Sequence, residues 1–215
     1  MPADGALDDT VRRADPGRWL ASRFVADLRA RADVVAIYAY DHELDRAGRV
    51  TSNALLAEIR LTWWREVLDE IYSGRAVRRH PAALSLAEAV RRRGHPRGLL
   101  EAMIDARIDS PDDPIAWADA VGGSATVLAA RTLDPDVDVQ AAALAGRVWG
   151  LIQLRRSGGP SRNLAGHLAL AARAAPRVSV AAFPAVACVT LARSRDPSPL
   201  EIRVRLLLAI LRGRL

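Results

Sequence analysis

Two aspartates, Asp41 and Asp45, stand four residues apart in the segment YAYDHELDRAGR, with Glu43 between them. Residues four apart on a helix project from the same face, so both carboxylates can reach one Mg²⁺ ion or hold two ions against a diphosphate. Asp41 and Asp45 are therefore our candidate metal-binding and catalytic residues. The same spacing also fits a solvated helix face, on which Arg46 and Arg49 would neutralise the acids.

A pair of adjacent tryptophans, Trp63 and Trp64, marks the next segment, EIRLTWWREVLDEIYSG. Adjacent residues on a helix point about 100° apart, so we expect one ring to pack inward and the other to face a neighbouring helix or a cavity. Taken alone, the pair is also typical of an aromatic packing core.

Four segments together point to a known family: ASRFVADLRARADVVAIYAYDHELDRAG, EIRLTWWREVLDEIYSG, MIDARIDSPDDPIAWADAVGGSATVLAARTLD and LAGRVWGLIQLRRS. In order and spacing they resemble the squalene and phytoene synthase family, and within it a divergent branch that includes mitochondrial complex I assembly proteins and their bacterial relatives. The resemblance runs from about residue 18 to residue 157, and residues 160–215 match only loosely. It implies an all-α isoprenoid-synthase fold, a helical bundle around a central cavity for prenyl chains.

The first motif of that family is only partly present. In active synthases, two Asp-rich motifs on facing helices hold Mg²⁺ ions against the diphosphate of a prenyl substrate. The resemblance sets Asp45 at the first position of the first motif, with Arg46 and Arg49 at its second and last positions. Asp41 and Glu43 are the acids that can substitute, displaced by one turn. Mg²⁺ is thus the implied cofactor, held by an incomplete set of ligands.

The second motif falls on residues 151–157, where Arg155 matches the arginine of the family and Arg156 replaces its aspartate. An arginine does not ligate Mg²⁺, and the sequence has no carboxylate between Val139 and Asp196 to replace the lost one. The resemblance therefore implies a diphosphate site that lacks half of its metal ligands.

Further residues are candidates for binding the substrate. A guanidinium group offers a fixed fork of donors that fits phosphate oxygens two at a time, so arginines near the cavity can hold a diphosphate. Asp109 matches a third family feature, although Asp105 and Asp109 also share a helix face on which salt bridges with arginines are an alternative. The substrate-binding candidates are Tyr38, Arg60, Trp64, Asp109, Arg155 and Arg156.

The elements that must position these residues are helices, because apolar residues recur with helical periodicity between short Pro and Gly breaks. We expect a flexible N-terminus over residues 1–15 and a single all-helical domain over residues 16–215. The predicted helices cover 18–31, 33–48, 52–73, 82–93, 96–109, 114–132, 136–157, 162–174, 178–193 and 199–213.

Some helix starts and one break are marked by specific residues. Asp113 and Asp134 each precede a proline and are expected to cap a helix, and Ser198 with Glu201 forms a capping box. The run Gly122, Gly123 and Ser124 predicts either a helix break or close helix packing.

Composition supports an all-α protein and narrows its partners. Half of the 215 residues are hydrophobic, only 5% are aromatic, and all 31 basic residues are arginines, which gives a net charge of +6. Acidic residues are interleaved with the arginines and no nucleic-acid-binding motif appears, so we expect no nucleic-acid partner. The single cysteine, Cys188, predicts a small buried hydrophobe in a reducing compartment.

The two ends of the sequence bear on location. The N-terminus lacks the apolar core of a signal peptide, so we expect a cytoplasmic protein. Residues 201–215 read as a short basic amphipathic helix, which either packs its leucines onto the core or lies on the inner membrane as a peripheral contact.

Three functions are compatible with these residues, and the sequence leaves open whether the protein is an enzyme. We favour a non-catalytic or weakened isoprenoid-fold protein with an assembly role of the respiratory complex I type, or with prenyl or lipid binding, because the second Asp-rich motif is lost. The alternative is an active Mg²⁺-dependent prenyltransferase that condenses two prenyl diphosphates head to head. A helical interaction module with a closed core is the third.

Overall fold

The structure is a computed structural model that describes residues 2–49, 54–109, 111–160, 163–194 and 197–215. Every regular element in these ranges is helical, which confirms the predicted all-α fold. A π-helical turn covers Asp119–Gly123, and 3₁₀ segments cover Ala175–Arg177 and Ala187–Arg193. The α-helices are α1 (Pro2–Ala14), α2 (Pro16–Ser22), α3 (Leu28–Arg49), α4 (Ala54–Tyr72), α5 (Pro81–Arg93), α6 (Arg97–Ile108), α7 (Pro114–Ala118), α8 (Ser124–Leu133), α9 (Val139–Arg156), α10 (Leu164–Ala174), α11 (Phe183–Val186) and α12 (Pro199–Arg212).

Helix α3 lies at the centre of the bundle. Every residue from 33 to 41 is buried, because α3 packs against α1, α2, α4, α5, α6 and α8. A helix that is apolar on all sides is expected in such a position, and this stretch is apolar apart from the aspartates at its two ends. Asp33 and Asp41 are therefore carboxylates inside a protein core, where each requires a charged or hydrogen-bonding partner.

Backbone contact between α9 and the π-helical turn fixes the second half of the bundle. A Cβ atom on Gly122 would lie 2.3 Å from the carbonyl oxygen of Gly146 and 2.5 Å from the amide nitrogen of Gly150. Only glycines allow two helices to approach this closely. The run of Gly122, Gly123 and Ser124 thus has both predicted roles, since it forms an irregular turn and also a close packing contact.

The N-terminus differs from the flexible segment that we expected over residues 1–15. Residues Pro2–Ala14 form α1, which packs against α3. Leu7 and Val11 lie one helical turn apart and are both buried in the core, so an apolar stripe holds this helix in place. The extent of the domain over residues 16–215 stays a prediction.

The single helix predicted over 18–31 is wrong. Helix α2 begins two residues earlier, after Asp15, and ends at Ser22. A new helix then starts because the Asp27 carboxylate accepts hydrogen bonds from the backbone amides of Arg29 and Ala30, at 2.7 and 3.0 Å. A side chain that satisfies these amides favours a helix start at this point.

Two of the three predicted caps are confirmed. Asp113 accepts a hydrogen bond from the Ile115 amide, and Ser198 accepts one from the Glu201 amide. The cap predicted at Asp134 was wrong, because Asp138 caps α9. Asp134 instead accepts a hydrogen bond from the hydroxyl of Ser179 at 2.6 Å. The predicted helix starts at positions 52 and 162 lie outside the described residues.

The continuous helix predicted over 178–193 is also wrong. The chain there forms a turn, the short helix α11 and the 3₁₀ segment Ala187–Arg193. Pro184 lacks an amide hydrogen and therefore fits the first turn of a helix instead of its interior. Cys188 is buried with no disulfide, as the sequence predicts.

The contact at Gly122 predicts unequal effects of two neighbouring substitutions. Gly122→Ala forces the two backbones apart, so we expect it to lower the free energy of unfolding by about 2 kcal/mol or more. Gly123→Ala is the matched control, since the nearest atom to its added Cβ is 3.9 Å away. Urea denaturation measures both variants, and equal stabilities would contradict the close contact.

A buried histidine lies between α5 and α6. His95 is 3% exposed, and its Nε2 atom lies 3.1 Å from the hydroxyl of Thr132. That hydroxyl donates to the Leu128 carbonyl oxygen, so we assign Nε2 as the donor to Thr132. Burial lowers the pKa of His95 from 6.5 to about 4, because the charged form loses its hydration.

This shift gives stability a pH dependence. Between pH 6.5 and 4 the unfolded chain binds a proton on His95 that the folded protein does not bind, so the free energy of unfolding falls as the pH falls. The expected loss is up to about 3 kcal/mol, from about 1.4 kcal/mol for each pKa unit. Urea denaturation at several pH values measures it, and His95→Gln should flatten the slope in this window. An unchanged slope in His95→Gln would exclude the histidine as its source.

Candidate functional site

A cleft of about 310 Å³ lies where α2, α3 and α9 meet, and we call it the α3–α9 cleft. Tyr38, Asp41 and Asp45 of α3 face Arg156 of α9 across it. The two segments that the resemblance assigned to Asp-rich motifs therefore stand on facing helices. The cleft is lined by Ala14, Asp15, Arg18, Tyr38, Asp41, His42, Asp45, Gln153 and Arg156.

Asp41 is neutralised from two sides. Arg18 Nη1 donates to its Oδ2 atom at 2.7 Å, and Arg107 Nη2 donates to its Oδ1 atom at 2.6 Å. Asp41 is only 3% exposed and Arg18 only 1%. Burial alone would raise the pKa of Asp41, but Arg107 and Arg18 outweigh it, so the pKa lies below its ordinary value. The carboxylate is therefore ionised and bound through both of its oxygens. We call Arg18, Asp41 and Arg107 the arginine–aspartate triad.

The guanidinium of Arg18 is held by its surroundings. The Asp15 carboxylate caps α2 by accepting from the Arg18 amide at 3.0 Å, and its Oδ2 atom lies 3.8 Å from Arg18 Nε. Arg18 also lies over two aromatic rings, 4.9 Å from the ring centroid of Tyr38 and 5.3 Å from that of Trp149. Such rings attract a cation, most strongly where water is excluded. The Nε and Nη2 atoms of Arg18 are buried without a hydrogen-bond partner, and the two rings lie beside this guanidinium.

Arg107 reaches Asp41 from α6. It lies near the end of α6, and its Nη1 atom donates to the Met103 carbonyl oxygen at 2.9 Å. Its guanidinium lies 5.9 Å from the ring centroid of Trp117. The triad thus connects α2, α3 and α6 at a single carboxylate.

Comparison with known families agrees with this geometry. The family model for squalene/phytoene synthase matches residues 11–160, a range that includes α2, α3, α6 and α9. The chain belongs to the squalene/phytoene synthase family. No curated protein matches the chain. The match covers both walls of the α3–α9 cleft, and members of this family bind prenyl diphosphates and normally use Mg²⁺.

The residues of the cleft do not fit a Mg²⁺ site of the kind used in this family. Both oxygens of Asp41 accept from buried arginines, and α9 contributes Gln153 and Arg156 to the cleft, neither of which is a carboxylate. Across the part of the chain that the structure describes, no group of three or more His, Cys, Asp or Glu side chains is placed to hold a metal ion. The side chain of Arg49 lies outside that part.

Two predicted substrate-binding residues lie in a different place. Arg60 and Trp64 line a groove of about 360 Å³ between α3 and α4. Trp64 is buried and packs edge to face on Tyr40, with ring centroids 5.3 Å apart, so that it forms the floor of the groove, whereas Trp63 is half-buried and lines the groove from a more exposed position. The prediction that one ring packs inward and the other faces a cavity is confirmed.

Asp109 and Arg155 are not among the residues that line the cleft. Asp109 is exposed at the end of α6, and Asp105, one turn earlier, pairs with Arg65 at 2.5 Å. The Nη2 atom of Arg155 donates to the Ser194 carbonyl oxygen at 3.2 Å. Of the predicted substrate-binding residues, Tyr38 and Arg156 do line the cleft.

Sequence reasoning missed the residues that neutralise Asp41. The pair of Asp15 and Pro16 carries the same capping signal that correctly predicts the start of α7 at Asp113, and it would have placed Arg18 in the first turn of a helix. Arg107 is 66 residues from Asp41 in sequence, so no local spacing connects the two. Trp149 gave no signal beyond that of a core aromatic residue.

The triad predicts that Asp41 and Asp45 differ in their contribution to stability. Asp41→Ala leaves two buried guanidinium groups without their counter-ion, so we expect a loss of about 3–5 kcal/mol in the free energy of unfolding. Asp45→Ala removes a half-buried carboxylate of the same cleft and should cost less than about 1 kcal/mol. Urea denaturation separates the two outcomes, and an Asp41→Ala variant as stable as Asp45→Ala would contradict a structural role of the triad.

Proposed function

We propose that this chain is a non-catalytic or catalytically weakened member of the squalene/phytoene synthase family. Its role is either assembly of a larger complex, of the respiratory complex I type, or the binding of a prenyl or other lipid group. The observation that supports this proposal is the state of Asp41, whose charge is already compensated by Arg18 and Arg107.

Recruiting Asp41 to a metal carries an energetic cost. A metal ion that took its carboxylate oxygens would displace Arg18 and Arg107, and both side chains are less than a tenth exposed. Leaving a buried charge without its partner costs several kcal/mol per site. This cost favours the paired state of Asp41 over metal binding. Ionisation of a prenyl diphosphate depends on bound metal ions in this family, so the same cost also disfavours that reaction.

The facing helix supports the same proposal. Arg156 is exposed at the cleft, and its guanidinium lies 5.3 Å from the Trp149 ring centroid. A guanidinium can bind a phosphate group directly by two parallel hydrogen bonds, without a metal ion. The cleft can therefore bind an anionic lipid head group at Arg156, even though we propose that it does not ionise a prenyl diphosphate.

The assembly role rests on sequence likeness. The segments that contain IRLTWWRE and IYAYDHELD resemble those of complex I assembly proteins. Trp63 and Ile59 of the first segment lie on the groove between α3 and α4, where they offer apolar surface to a partner.

Release of diphosphate from farnesyl or geranylgeranyl diphosphate in the presence of Mg²⁺ tests this proposal. We expect the purified protein to release diphosphate no faster than buffer alone, because the metal ligands are incomplete. Asp45→Ala and the exposed control Asp112→Ala should leave that background unchanged. Mg²⁺-dependent release that Asp45→Ala abolishes and Asp112→Ala preserves would overturn the proposal in favour of an active prenyltransferase.

Binding of farnesyl diphosphate separates a ligand-binding role from a purely scaffolding one. If the cleft binds the diphosphate through Arg156, the affinity should be independent of Mg²⁺ and should fall by about tenfold in Arg156→Gln. Arg173→Gln, an exposed arginine on α10, is the control. Affinity that rises steeply with Mg²⁺ would argue for a working metal site.

A further inference from the structure

We infer that the outward face of α12 binds the surface of an anionic lipid bilayer. Five large apolar side chains on this helix are between 39% and 73% exposed. At 100° per residue they share one stripe that spans roughly 100° of the helix circumference. They are Leu200, Val204, Leu207, Leu208 and Leu211.

The core of the protein does not use this stripe. Leu206 and Ala209, on the opposite side of α12, are buried, and the helix packs against the 3₁₀ segment Ala187–Arg193. Ile202 and Ile210 are partly buried against the same core. One apolar face therefore already holds α12 in place, and the exposed leucines form a second apolar face that folding does not explain.

Arginines flank the exposed stripe. Arg203 lies on one side of it, and a cleft of about 440 Å³ on the other side is lined by four arginines together with Leu208 of the stripe. Within residues 199–215 the single acid is Glu201, and it pairs with Arg205 at 2.7 Å. The arginines of the cleft are Arg193, Arg205, Arg212 and Arg214.

This combination of apolar and basic groups matches an anionic membrane surface. A helix that lies in the interface places its apolar face at the boundary of the acyl chains and its basic groups at the lipid phosphates. Val204 and Leu211 lie nearest the middle of the stripe and would enter furthest, with Leu207 beside them at its edge. Arg212 and Arg214 are within reach of the phosphate level, where each arginine strengthens binding by about fivefold.

A second copy of the chain fits the same face less well. The stripe is about 17 Å long and about 10 Å wide, which gives an area of roughly 170 Å². A stable interface needs about 800 Å² from each partner. A symmetric contact through α12 would also bring the arginines of one copy against those of the other, and like charges at an interface oppose association.

Co-sedimentation with lipid vesicles tests the inference. The probes are vesicles of phosphatidylcholine alone and vesicles with about 30% phosphatidylglycerol, at low salt and at about 0.5 M salt. We expect the 215-residue protein to bind the anionic vesicles, to bind neutral vesicles at least tenfold more weakly, and to lose most of its binding at high salt.

Paired substitutions assign the binding to α12. Leu207→Ser with Leu211→Ser, and separately Arg212→Glu with Arg214→Glu, should each weaken binding to anionic vesicles by about tenfold or more. The matched controls are Leu170→Ser and Arg173→Glu on α10, where Leu170 is 46% exposed, and they should bind as the wild type does. All the substituted side chains are exposed, and thermal unfolding confirms that the variants fold.

Three results would overturn the inference. The first is an absence of binding to anionic vesicles at low salt, and the second is an equal loss of binding in the α10 controls. The third is a concentration-dependent dimer that Leu207→Ser with Leu211→Ser abolishes, because a second copy of the chain would then be what binds this face. The inference does not rest on the proposed function, since diphosphate release and vesicle binding are measured separately and use different residues.

Discussion

The rest of the bundle depends on the backbone contact between α9 and the turn that precedes α8. Gly122, Gly146 and Gly150 bring two stretches of main chain so close that even one methyl group would separate them. Because α9 is held there, Trp149, which precedes Gly150, lies against Arg18. Arg156, less than two turns further along α9, lines the α3–α9 cleft. Cores are close-packed and transmit such a displacement, so the composition of the cleft follows from glycines that do not touch it.

The triad is the second constraint, and it concerns charge instead of shape. Three helices supply one residue each, and every member is buried or nearly so. A buried ion pair adds little net stability compared with apolar residues of the same size, but breaking it leaves a charge in the core. This asymmetry favours the paired state of Asp41, which stands one helical turn before the position where the resemblance sets the first metal ligand of an active synthase.

The sequence predicted the helical class, the different orientations of Trp63 and Trp64, and the start of α7 at Asp113, because each depends on residues within one or two turns. It failed where distant residues decide the outcome. Asp41 looked like a metal ligand because its partners are 23 and 66 residues away along the chain. The segment around Pro184 looked helical by composition, although its apolar residues are packed into the core from 3₁₀ and irregular backbone.

Counter-ions that belong to the chain differ from counter-ions taken from solution. A carboxylate neutralised by a divalent ion links folding to the concentration of that ion, since the bound form gains stability by mass action. Arg18 and Arg107 are tethered to the polypeptide, and a guanidinium keeps its proton at every physiological pH. Neither a chelator nor a drop in magnesium can remove them. The charge of Asp41 therefore stays compensated whatever the concentration of divalent ions in solution.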